Sequence, residues 1–264
     1  MDPQALMDFL GLSVGEVERT ILILSRLSGL FLSAPFFSRT TGPMQVRAAL
    51  IFTITFVLFP LVSPWEGEGD GEIGAMMFTA LTEVLIGAIM GLLFHWALIS
   101  VQLAGSVIGF QMGLSIAQVM DPTSGVQENV LSNLYYLATL TIFLIIDGHY
   151  LLLEGLAKSF QVWPLGHGLP KGEPLLQMAT TTVSHFFVLG LMMAAPVVAA
   201  TTLLYIGMGL INRASPQIQV FFLGMPLAQM IGFIIMGMTM TAFGEIIVRE
   251  FDVFYHMAFG VFQR

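Results

Sequence analysis

From Ile73 to Met120 the chain is apolar, interrupted only by Glu83 and His95 among titratable residues. A helix crosses the hydrocarbon of a bilayer in about 20 residues. The run is therefore too long for one crossing and must break or leave the membrane. The break is expected in the glycine-rich stretch from Gly105 to Gly125. Read as a helix, that stretch carries Gly105, Gly109 and Gly113 in one small-residue row and Gln111, Ser115 and Gln118 in a polar row. Read as an extended loop, it sets Phe110, Met112, Leu114 and Ile116 on one side. Both readings stand on the residues alone.

The rest of the composition agrees with a lipid environment. The 264 residues are 56% hydrophobic and only 10% charged, whereas soluble domains carry about a quarter charged residues. The chain lacks the polar surface to cover itself with water, and the expected class is an all-α, membrane-embedded protein built of helical hairpins with kinked long helices. A net charge of -8 argues against nucleic acid as a partner, which would want a basic stripe. No cysteine is present, which removes disulfides, thiolate catalysis and cysteine metal sites. Asp2, Asp8, Glu16 and Glu18 precede any basic residue, so no cleavable signal peptide is expected and the first apolar run should serve as its own insertion signal.

Taken in order, residues 1–17 form an acidic amphipathic lead-in, and a first apolar run over 18–37 holds Arg26 in its middle. Ser38 to Pro43 is a turn flanked by Arg39 and Arg47, and a second run starts near Met44 and ends near Pro60. A short turn makes the two helices antiparallel, giving a hairpin over 18–62. Residues 63–72, with four acids and no base, form a solvent loop. Central helices are expected over 73–160, including a run from about Asn129 to Phe160 that contains Asp147-Gly148-His149. Residues 161–174 form a loop rich in Pro and Gly. A C-terminal hairpin over 175–264 follows, with Pro196 able to kink its first helix and a turn at 213–217. The nine Lys and Arg residues are scattered over almost every polar segment, so charge bias sets no orientation.

Few side chains offer chemistry. Arg26 costs about 2.5–3.5 kcal/mol in lipid on insertion scales, and must face either a buried structural partner such as Glu83 or a water-filled path. Glu83 shares a helix face with Gly87 and Gly91, which suits close packing more than a proton relay. Asp147 and His149 flank a glycine and do not face each other on a helix; they read as end caps if the helix breaks, or as groups for proton or ion chemistry. The five histidines (His95, His149, His167, His185, His256) show no i,i+4 pairing, so no metal is expected. No cofactor motif or catalytic constellation is expected, and Gly113-Leu114-Ser115-Ile116-Ala117 lacks the final glycine of a nucleophile elbow. Most methionines read as filler, but Met112 and Met120 sit where a deformable apolar seal would be useful.

Several segments, in order and at matching spacing across about 26–227, resemble the FliR family of export-gate proteins from bacterial flagellar type III secretion and its injectisome counterparts. They are Arg26 with Pro35; Pro43, Val46 and Arg47; Gly105 and Gly109 through Ser115 to Asp121-Pro122; Asp147-Gly148-His149; and Asn212-Arg213-Ala214-Ser215-Pro216-Gln217 with Phe221, Gly224 and Pro226-Leu227. Gly42 and Ser215 depart from the residues commoner there. The resemblance implies a non-enzymatic subunit of a bacterial inner-membrane export gate at the flagellar basal body. It also implies assembly with FliP-like, FliQ-like and FlhB-like subunits, passage of unfolded flagellar proteins, and energy from partner components. It implies a plug loop over about 106–125 as well, with Phe110, Met112, Leu114, Ile116, Val119 and Met120 sealing the lumen and Gly105, Gly109, Gly113 and Pro122 as hinge. Arg26, Arg47, Glu83, Asp147, His149, Arg213 and Pro216 are the expected structural residues. A proton- or ion-coupled transporter using Glu83, Asp147 and His149, and an injectisome subunit, are the alternatives.

Overall fold

Ser13 starts the first helix by a reciprocal cap: its hydroxyl accepts from the Glu16 N–H at 3.3 Å, while the Glu16 carboxylate accepts from the Ser13 N–H at 2.8 Å. These bonds, the backbone one first, hold the Glu16 carboxyl below the usual carboxylate range. In this computed structural model the described residues are 13–34, 43–65, 73–115, 129–169, 172–215 and 220–260. Their regular elements are helical throughout: α1 Val14–Ser33, α2 Met44–Leu58 with a 3-10 turn at Phe59–Leu61, α3 Ile73–Gln111, α4 Val130–Ile145, α5 Gly148–Val162, α6 Gly172–Ala214 and α7 Val220–Gly260. The chain is all-α. Four stretches are long and apolar enough to cross a membrane, Met44–Leu61, Gly74–Gln111, Leu175–Ala214 and Leu223–Met257; α4 and α5 together qualify as a broken fifth.

The chain divides into two units. The first holds residues 1–95, 147–180 and 253–264, and the second holds 96–146 and 181–252. In the first unit, Arg19 of α1 donates to the carbonyls of Phe59 (2.5 Å) and Val62 and stacks over the Phe59 ring at 4.3 Å. The start of α1 therefore meets the end of α2, so the two are antiparallel. α1 and α3 pack in parallel through glycines. A Cβ on Gly87 would stand 1.8 Å from the Arg26 carbonyl oxygen, and one on Gly29 would stand 2.0 Å from that of Val84. Gly87 and Gly91, one helical turn apart, thus let two backbones touch, the small-residue device of helices that cannot rely on water to drive them together.

In the second unit α6 and α7 are antiparallel, since His185 meets Glu250 and Gly224 lies by Tyr205 and Met208. α4 packs on α7 through Tyr135–Phe243 and Phe143–Phe251 ring contacts, each with centroids 5.0 Å apart. α6 remains helical through Pro196, whose missing N–H leaves the Met192 carbonyl without its intrahelical donor. Large apolar side chains stay exposed along the long helices, among them Phe52 and Phe56 on α2, Leu203 and Leu210 on α6, and Met230 and Met238 on α7. A helix that is apolar on its open side needs lipid or another protein there.

Two elements differ from the sequence reading. The single helical run over 129–160 is broken at Ile146–Asp147, because Asp147 adopts a left-handed conformation (φ 56°). That conformation ends a helix, and Asp tolerates it better than most residues. α3 also stays helical through Gln111, so the first residues of the loop expected over about 106–125 are helix.

Replacing Gly87 by Val should disrupt the α1–α3 contact and lower stability by about 2 kcal/mol or more. Thermal unfolding of the detergent-solubilised protein checks this, with Gly74→Val as control, since a Cβ there meets nothing within 4 Å.

Candidate functional site

The first unit contains a fully buried ion pair. Arg26 Nε lies 2.6 Å from Glu83 Oε2, with neither side chain exposed. Arg26 Nη1 donates to Ser159 Oγ (3.2 Å) and to the Trp163 carbonyl (3.0 Å), and the guanidinium carbon sits 4.4 Å from the Phe160 ring centroid. The second Glu83 oxygen accepts from the Gly166 N–H at 2.9 Å. Gly166 can present that N–H because its φ is +80° and because the Trp65 ring occupies the place of a Cβ, 2.0 Å from where one would stand. One ion pair therefore ties α1, α3, α5 and the loop after α5 together. It has no bond to Asp147 or His149, so the structure does not assemble the three groups an ion-coupled transporter would use. Asp147 is exposed and makes no cap bond, and His149 Nδ1 is buried without a partner.

The second unit contains the end of α3. Gly113, at φ +78°, closes the helix: its N–H donates to the Phe110 carbonyl (3.0 Å) and the Leu114 N–H donates to the Gly109 carbonyl (2.9 Å). This pair of bonds is a Schellman cap, with glycine at the left-handed position. Met112 is fully buried, its thioether packed where a Cβ on Gly232 of α7 would lie. Phe110 projects outward with 71% of its surface exposed, and Leu114 is half-buried. Gly105 and Gly109 are helical and lie against the start of α4: a Cβ on Gly105 would be 2.7 Å from the Leu131 carbonyl oxygen, and one on Gly109 would be 2.1 Å from the Asn129 amide.

The polar row has partners. Gln111 Nε2 donates to Thr202 Oγ1 (3.1 Å), and the Tyr205 hydroxyl donates to the Gln111 carbonyl (3.0 Å). Ser115 Oγ accepts from Asn129 Nδ2 at 2.7 Å, while Asn129 Oδ1 caps α4 by accepting from the Leu131 N–H at 3.0 Å. Gln118, Ile116, Val119, Met120, Pro122 and Pro216 lie outside the described residues. Arg47 is half-buried on the first turn of α2. Arg213 is exposed in the last turn of α6, where a cation suits the helix dipole.

Sequence reasoning missed a second titratable pair, His185 Nε2 to Glu250 Oε2 at 2.5 Å, with Arg249 Nη2 3.6 Å from the other carboxylate oxygen. His185 is the only His, Asp, Glu, Lys or Arg in the run over 175–212, and a titratable group in such a run calls for a partner. Arg19, Thr202 and Tyr205 carried no comparable signal.

The profile of the family described as bacterial export proteins, family 1, matches residues 17–254. The chain is similar to the flagellar biosynthetic protein FliR of Bacillus subtilis (strain 168), with 30% identity over 236 residues, covering 88% of this chain and 90% of that protein. It is similar to FliR of Escherichia coli (strain K12), with 33% identity and 82% of each chain covered. FliR of Caulobacter vibrioides is 25% identical, covering 86% of this chain and 90% of its own length.

The buried pair predicts a specific asymmetry. Glu83→Gln should cost about 3–5 kcal/mol, because it strands a buried guanidinium, whereas Arg26→Met with Glu83→Leu should recover most of the loss. Unfolding midpoints of the three proteins measure this; equal losses in single and double variants would show that packing, not charge, is at stake.

Proposed function

The chain belongs to the FliR family of bacterial export proteins, and on that premise we propose that it is a core subunit of the flagellar export gate. It would form and plug the channel through which unfolded flagellar proteins leave the cell. On this reading it sits in the bacterial inner membrane at the flagellar basal body, with FliP-like, FliQ-like and FlhB-like subunits against its exposed apolar helices. The relatives named above are flagellar biosynthetic proteins, which favours flagellar over injectisome use. The membrane-capable helices and the apolar residues left open on α2, α6 and α7 support assembly within lipid.

The observation that carries the plug reading is the way the longest apolar run ends. α3 is capped at Gly113, Met112 is packed on Gly232, and Ser115 is bonded to Asn129. The chain thus leaves α3 and returns to α4 at one hydrogen-bonded point, with residues 116–128 between. A loop tied at its base can carry an apolar seal without unsettling the helices. We assign the seal to Phe110, Leu114, Ile116, Val119 and Met120, with Met112 holding it to α7. Movement is assigned to Gly113 and Pro122, and Gly105 and Gly109 serve as close contacts beside them. A pore blocked by apolar side chains excludes water and ions without any charge, so no catalytic group or cofactor is called for.

Replacing Met112 and Leu114 by Gly should make the assembled gate leak ions in planar bilayers, by about tenfold or more over the native gate if the seal works by dewetting. Conductance unchanged from native would remove the plug assignment.

A further inference from the structure

The His185–Glu250 contact stands where both α6 and α7 change character. On α6, residues 186–211 contain no Asp, Glu, Lys, Arg or His, and the polar run Thr181, Thr182, Ser184 and His185 comes just before them. On α7, residues 220–244 contain none either, and Glu245, Arg249, Glu250 and Asp252 follow. Each uncharged stretch exceeds the roughly 20 residues that cross hydrocarbon. The two helices are antiparallel, so their polar stretches coincide, and His185 meets Glu250 at that level. The pair therefore sits at the edge of the apolar helix pair and not in its middle. Few other charges surround it. Arg249 Nη2 is 3.6 Å from Glu250 Oε1, and Glu245 and Asp252 are exposed on α7. α3 reaches α6 here through Trp96 on Phe186, and its residues 96–111 include no charged or titratable group. α4 reaches α7 through Phe143 on Phe251 and brings only the phenols of Tyr135 and Tyr136.

We propose that His185 and Glu250 form a proton-binding site that ties α6 to α7 at one edge of the membrane. The site is independent of the plug reading, since its residues lie on α6 and α7 alone. Nε2 is 2.5 Å from Oε2, and a ring nitrogen and a carboxylate oxygen in contact need a proton between them. With the ring neutral, Nε2–H donates to the carboxylate and the pair carries one negative charge. A proton added at Nδ1 makes the ring an imidazolium and leaves the pair with no net charge, while the contact at Nε2 persists. Both partners of the bond are then ionised, which is the stronger kind. The tie between the helices is tightest with the proton on and weakens as rising pH removes it. Glu250 is buried and supplies the fixed acceptor; His185 is half-buried and receives the proton.

The test uses the full chain, isotopically labelled at the histidine ring nitrogens, in lipid nanodiscs. Nuclear magnetic resonance follows the rings from about pH 8 to about pH 5, the range over which histidine ordinarily charges. One resonance, absent from His185→Gln, should pass reversibly from neutral ring to imidazolium. Glu250→Gln keeps the shape and removes the charge, and should lower the proton affinity of His185 about tenfold or more. Arg249→Gln takes a cation away from the carboxylate and should raise that affinity, by up to about fivefold. A purely structural contact would not give opposite responses to two neighbouring substitutions. If His185→Gln does not fold, the one resonance that moves in both other variants identifies the ring. A double-mutant cycle of His185→Gln and Glu250→Gln, read in unfolding midpoints, should show stronger coupling at the acid end of the range than at the alkaline end. A His185 ring that never changes state, or that titrates identically in Glu250→Gln, overturns the site. Titration in detergent but not in nanodiscs overturns its place at the membrane edge, and equal coupling at both ends of the range overturns the tie.

Discussion

A guanidinium with none of its surface exposed calls for charge and hydrogen bonds on the spot, and in the first unit three segments converge on it. Glu83 comes from α3, Ser159 and the Phe160 ring from α5, and the Trp163 carbonyl from the loop after it. The Glu83 carboxylate in turn requires the Gly166 N–H, and Gly166 requires the Trp65 ring. The glycine contacts follow from the same need. For Nε to reach a carboxylate at 2.6 Å, α1 and α3 must lie close, and Gly29, Gly87 and Gly91 allow it. Buried pairs are weak sources of net stability but costly to break singly, and this one joins α1 to α3 and α5.

The second unit solves a different problem with neutral groups. The end of α3 leaves carbonyls without intrahelical donors. The Schellman cap satisfies two of them, and Tyr205 a third. Asn129 works at both sides of the gap, bonding Ser115 and capping α4. The same accounting that completes these helix ends fixes where the chain departs and where it comes back.

The all-α class and the long spans were legible because composition and run length depend on no tertiary detail. The need of Arg26 for a partner was legible from its cost in lipid, and Glu83 was nameable as the one carboxylate in the neighbouring apolar run. Ser159 and the carbonyl of Trp163 were not, because main-chain and hydroxyl partners leave no pattern in a sequence. A break beside Gly148 was one of two open readings, and it could not be decided because nothing in Asp147 announces a positive φ. Gly105 and Gly109 read as freedom, whereas in the structure their missing side chains are filled by α4. Gln111 and Ser115 had no visible role because their partners, Thr202 and Asn129, lie 91 and 14 residues away.

The Arg26 contacts also set a timetable for synthesis. Glu83 is 57 residues downstream of Arg26, and Ser159 and Trp163 are 133 and 137 residues downstream. At about 5–20 residues per second, α1 emerges roughly 3–11 s before its counter-ion and about 7–27 s before its last hydrogen-bond partner. For that interval the nascent helix carries an unanswered charge. An independent span would bear that charge at a cost of about 2.5–3.5 kcal/mol, and the full set of partners that offsets it exists only once the middle third of the protein has been made.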